Sequence, residues 1–135
     1  DAIAADFADS LTMLNYKMAE YSLAVCKDRP CFHVSLICDV SPNCDCHAEN
    51  DIPIIPDIGM LASLDPVALD QACADLCNQA APIPESVLGE NIKKHGEEEG
   101  HDHFHMTHPD TEWKTCIAHA VKIGLGTDQY ELVKI

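Results

Sequence analysis

The residues best equipped for chemistry crowd into one stretch, C-D-V-S-P-N-C-D-C-H, at positions 38–47. Cys44 and Cys46 stand two positions apart, and in an extended or turning loop that spacing can aim both sulfurs at one point. Cys38 ends an apolar run and His47 directly follows Cys46. These four side chains are soft or borderline donors, and thiolates select zinc, other transition metals and iron–sulfur centres. The spacing is neither the C-x2-C-x2-C-x3-C run of a bacterial ferredoxin nor a paired C-x2-C zinc ribbon. Two other readings stay open: a rigid loop whose cysteines pack or hydrogen-bond without metal, and redox chemistry of the thiols themselves. The expectation is that Cys38, Cys44 and Cys46 contact a cofactor, and that Cys44, Cys46 and His47 serve as metal ligands.

A second candidate is H-D-H-F-H. On an extended segment His101, His103 and His105 would point to one side and could chelate zinc or nickel. His95 and His108 lie nearby, and Glu97, Glu98 and Glu99 add negative field. The competing reading is an exposed His-rich loop that binds metals only adventitiously. Asp45, Asp51, Asp57 and Asp65 could take a hard cation, or simply build turns and caps. For Asp65 the cap is favoured, because Pro66 follows in the first helical position. Cys73, Cys77 and Cys116 fall on apolar helix faces and read as core. Cys26 and Cys31 flank a turn and carry no signal. No dinucleotide, P-loop or nucleophile-elbow motif is present, so no catalytic residue is assigned.

The elements that must position these groups follow from periodicity. Residues 3–25 read as an amphipathic helix, with Ile3, Phe7, Leu11, Leu14, Met18 and Tyr21 on one face. Asp28, Arg29 and Pro30 break it. Residues 31–40 form an apolar, β-branched run that predicts an interior strand buried on both faces. The Pro- and Asn-rich segment 41–57 is a loop leaving the carboxyl end of that strand, where ligands of open α/β sheets usually bind. Residues 58–63 predict a second strand, 65–79 and 109–123 helices, and 130–135 a closing strand. Residues 80–107 read as a long excursion with a short helix near 86–94 and the acidic, His-rich loop. The order predicts an α/β domain over residues 1–135, with a small sheet flanked by helices. The chain opens at Asp1 without Met, and few strands are present. Both features predict a fragment of a larger protein whose sheet is incomplete here.

Composition limits the partners. A net charge of −15 leaves few clustered Lys and Arg for phosphate, which disfavours nucleic acid and anionic membranes. No apolar run approaches the ~20 residues of a membrane span. The 8 cysteines sit mostly in apolar patterns of a chain able to build its own core, which predicts reduced thiols and a cytoplasmic location.

Several phrases carry a family resemblance: Cys44-Asp45-Cys46, Ile55-Pro56-Asp57-Ile58-Gly59, Asp65-Pro66-Val67-Ala68-Leu69-Asp70-Gln71-Ala72, and Gly124-Leu125-Gly126 before Tyr130-Glu131-Leu132-Val133. In these the chain resembles the C-terminal region of domain-of-unknown-function family 362, described as iron–sulfur centre proteins. The His-rich loop is outside that pattern. The resemblance implies an iron–sulfur cluster in the full-length protein, held in a segment outside this one, and assigns no reaction. Two functions remain open. One is a metal- or cluster-contacting redox or electron-transfer protein with a redox partner. The other is a small-molecule enzyme domain with an Asp/Cys site at the strand ends.

Overall fold

The computed structural model describes residues 11–44, 46–96 and 102–135. In chain order the elements are α1 Leu11–Cys26, β1 His33–Ile37, β2 Gly59–Ser63, α2 Pro66–Gln79, α3 Val87–His95, α4 His103–Thr107 and α5 Trp113–Lys122. The two strands pair as an antiparallel, two-stranded sheet, which makes this a small α/β fold.

Both strands are edges, and this overturns the expectation of an interior strand. Along β1 burial alternates: His33 and Ser35 are half-buried and Ile37 is buried, while Val34 and Leu36 are exposed. A strand with one covered face must alternate in this way. The apolar run at 31–40 therefore hides two unlike faces, not one uniformly buried strand. The expected closing strand at 130–135 is also absent. No strand forms over these residues, and Leu132 and Val133 are exposed.

The chain divides into two compact units, residues 1–35, 62–72 and 110–135 in the first and 36–61 and 73–109 in the second. In the first, α1 packs along α5. Ala19, Val67 and Ala120 are buried, with Cys116, Ile117, Val121, Ile123 and Leu125 against them. The predicted face of α1 is not the one that packs. Leu11, Met18 and Tyr21 are exposed, and Ile3 and Phe7 lie outside the described residues. The small Ala19 lets the helices approach. Polar contacts complete the seam: Asn15 Nδ2 donates to Glu112 O at 2.7 Å and to Thr115 Oγ1 at 2.8 Å, and Tyr16 stacks on His119 at 4.2 Å between centroids. Helix α5 starts at Trp113 instead of Pro109, since the Glu112 carbonyl receives the Thr115 amide and hydroxyl at its first turn. It stops where expected. Gly124 takes φ 78°, and Leu125 N–H donates back to Ala120 O at 3.0 Å.

In the second unit Ile37, Ile54, Ile55, Cys77, Leu88 and Met106 form the core. Helix α3 starts at the buried Ser86, whose Oγ accepts from Gly89 N–H at 3.1 Å. The excursion at 80–107 thus contains α3 and α4, and residues 97–101 lie outside the described residues. No helix among the described residues is long and apolar enough to cross a membrane.

Asp65 caps α2 as predicted. Its Oδ1 accepts from Val67 N–H at 2.9 Å and Ala68 N–H at 3.0 Å. Its Oδ2 also accepts from Thr127 N–H at 2.9 Å, which ties the segment after α5 to the start of α2. Gly126 permits this, because a Cβ there would run into the Asp65 carboxyl. Asp65→Ala should therefore lower the unfolding free energy by about 1–2 kcal/mol, with Asp65→Asn recovering part of the loss. Urea denaturation measures it, and an unchanged midpoint in Asp65→Ala would contradict the double role.

Candidate metal centre

The predicted loop is an ordered clasp with its thiols outside. Ile54 N–H donates to Val40 O at 2.8 Å, and Asp39 N–H donates to Asp57 Oδ1 at 2.9 Å. Further out, Asn43 N–H donates to Asn50 Oδ1 at 3.3 Å. His108 Nε2 donates to the carbonyl of the buried Pro42 at 2.6 Å. Beyond this clasp His47 N–H donates to Cys44 O at 2.9 Å and closes the tip. Asp51 Oδ1 accepts from Ile52 N–H at 2.7 Å, so Asp51 and Asp57 both build the loop. Cys38, Cys44, Cys46 and His47 are exposed, and His47 Nδ1 lies 3.3 Å from Glu49 Oε1. No three of those four donors gather into a ligand group; Asp45 lies outside the described residues.

The His-rich segment is helical where it is described, which corrects the extended, one-sided arrangement expected of it. His101 lies outside the described residues. His103 is buried: its backbone N–H donates to Asn78 Oδ1 at 2.8 Å and its Nδ1 donates to Cys77 O at 2.9 Å. It pins α4 to the end of α2. His105 is half-buried and shares with His95 a cleft of about 430 Å³ bordered by Asn91 and Met106.

The group that does gather was not anticipated. Cys26, Cys31 and His33 each offer one ligand atom, and these atoms lie within 4.8 Å of one another. It is the one such group of three among the described residues. The local chain explains it. Cys26 is the last residue of α1. The chain then reverses through Lys27–Pro30, with Asp28 in the left-handed region at φ 59° and Arg29 N–H donating to Cys26 O at 3.2 Å. Cys31 comes back over the helix end, where its thiol reaches Cys26 O at 3.9 Å. Two residues on, strand alternation puts His33 on the same side. The sequence signal was present as C-x4-C-x-H, but its spacing has meaning only once this reversal is known.

The surroundings suit a cation. His33 Nε2 is buried and has no hydrogen-bond partner. Leaving such an atom unsatisfied costs about 1–3 kcal/mol. Burial raises the Cys26 thiol pKa, the neighbouring Cys31 raises it further, and Arg29 partly offsets both. The carboxyl of Asp70 belongs to a solvent-accessible residue, yet the side chains crowding it raise its pKa, and the nearby His33 pulls it back. Burial, then Asp70, raises Cys116. All are in the first unit.

What these features define is a small, thiol-rich α/β protein with a Cys/Cys/His group able to hold a metal ion. The chain belongs to the family described as Domain of unknown function (DUF362), which matches residues 3–75, more than half of its length. The match includes the candidate centre and the loop at 38–47. No curated protein and no solved structure matches the chain.

All eight cysteines are free thiols in very different settings. Burial, with Cys73 beside it, pushes Cys77 up to about 11. Since the thiolate is the reactive species, brief iodoacetamide treatment of the native, metal-free protein at pH 8 should modify Cys38, Cys44 and Cys46 first and spare Cys77. Peptide mapping reads the order. Early modification of Cys77 would contradict its buried placement.

Proposed function

We propose that this chain is a transition-metal-binding protein whose ion is held by Cys26, Cys31 and His33. The observation that carries the reading is the convergence of two sulfurs and an imidazole nitrogen within 4.8 Å. Two thiolates and a neutral imidazole form a donor set suited to a single tetrahedral ion such as zinc. They are fewer than the four thiolates that ligate a typical [2Fe–2S] or [4Fe–4S] cluster. An iron–sulfur role in electron transfer at the exposed Cys38, Cys44, Cys46 and His47, with a redox partner in the cytoplasm, would need ligands from elsewhere, since these supply three thiols that do not gather here. Their position on a solvent-facing tip supports access by a partner or by ligands from elsewhere. The remaining histidines, His101, His103 and His105, have less support, because the described structure commits His103 Nδ1 to Cys77 O.

Zinc competition against a chromophoric chelator tests the reading. The wild-type chain should bind one zinc with high affinity, and Cys26→Ser, Cys31→Ser and His33→Ala should each weaken it at least tenfold. Cys44→Ser/Cys46→Ser should leave this equivalent intact but lower iron and sulfide uptake on anaerobic reconstitution. Both thiols must lose their protons to ligate, so affinity should fall as pH falls, by about a hundredfold per unit below the thiol pKa values. The raised pKa of Cys26 extends that regime upward in pH. Unchanged zinc affinity in the first three variants would refute the assignment.

A further inference from the structure

Zinc has no redox chemistry of its own, so the redox sensitivity of a zinc–thiolate site lies in its sulfurs. Cys26 and Cys31 stand close enough to act on each other. Their sulfurs lie within 4.8 Å, and their side chains share a hydrogen bond. The Cys31 thiol also folds back to the Cys26 carbonyl at 3.9 Å. We propose that Cys26 and Cys31 are an oxidisable pair, which a hydroperoxide converts to a disulfide that dismantles the donor set. The bond itself follows from the placement of the two thiols, and the loss of metal rests on the metal reading above.

The reversal through Lys27–Pro30 has already brought Cys31 back to the end of α1. What remains is to draw the two sulfurs together to the ~2.05 Å of an S–S bond. Neither residue is sealed off: both are half-buried, and Cys26 lines a cleft of about 400 Å³. Oxidation-sensing thiols are typically accessible and stand beside a second thiol that resolves the first product. Here one thiolate attacks a peroxide oxygen and breaks the O–O bond, which gives a sulfenic acid and hydroxide. The second thiolate attacks the sulfenic sulfur, forms the S–S bond and expels a second hydroxide. The two thiol protons turn both hydroxides to water. Two thiols and one hydrogen peroxide thus give one disulfide and two waters, with two electrons passing from sulfur to oxygen. The thiolate is the ligating form, so of the three donors only His33 is left. A dithiol reductant reverses the step by exchange and leaves as a disulfide itself.

The test adds a modest excess of hydrogen peroxide to the full, reduced chain loaded with one zinc. A chromophoric chelator reads released metal, and peptide mapping without reduction reads the bond. Cuts after Lys27 and Phe32 place Cys26 and Cys31 on separate peptides, so their bond appears as a linked pair. The expected result is that linked pair, release of the zinc, and rebinding after treatment with dithiothreitol. Zinc that binds in a His33-dependent way, with cysteine linkages that never include Cys26–Cys31, would overturn the pair and leave the metal site standing. Zinc retained by a chain that carries the bond would overturn the dismantling of the donor set. A chain that forms the bond but holds no His33-dependent zinc before oxidation would overturn the metal reading and leave the pair standing.

Discussion

Reversing a chain within four residues of a helix end requires a residue that leaves the right-handed region, and here Asp28 does so. Everything distinctive in the first unit depends on that reversal. It returns Cys31 to the carbonyl end of α1 and sets the phase of β1, so that His33 faces the same side as Cys31. A shift of one residue would send His33 to the opposite face, since strand side chains alternate with period two. The same phase turns Val34 and Leu36 outward. The candidate metal centre and the exposed sheet face are thus two consequences of one register.

That register has little else to hold it. A two-stranded sheet is marginal in water by itself. Among the described residues of the first unit the buried apolar side chains are Ala19, Val67, Ala68, Leu69, Ala72 and Ala120, mostly small, with Leu69 the largest. The Asp65 carboxylate, shared between the α2 cap and Thr127, adds a polar tie. A metal bridging the end of α1 to the start of β1 would add a further tie there, because binding to a folded site adds its free energy to folding. The second unit differs, with larger buried side chains, Ile54, Ile55 and Leu88 among them.

Much of this was legible in the sequence where a local rule decided it. Asp65-Pro66 marks the start of α2 and Gly124 the stop of α5, each through capping or left-handed backbone that needs no distant partner. Legibility failed where a neighbour decides. The 31–40 run looked buried on both faces because Phe32, Val34 and Leu36 are as apolar as core residues, yet only one side of β1 is covered. The alternation at 130–135 looked like a strand, yet no strand forms there. The face of α1 was assigned to its large side chains, whereas packing against α5 selected Ala19. The loop at 38–47 drew the eye because its donors are dense in sequence. The three donors that meet are spread over eight positions and separated by a turn, and only the fold brings them together.

The central claim is the ligand set, and X-ray absorption at the zinc edge of the one-to-one zinc complex tests it most directly. The account predicts a first shell with two sulfurs near ~2.3 Å and an imidazole nitrogen near ~2.0 Å, with the remaining position filled by a light atom. The sulfur contribution should halve in Cys26→Ser. A shell of four sulfurs, or of nitrogen and oxygen alone, would contradict it, as would a spectrum that Cys26→Ser leaves unchanged.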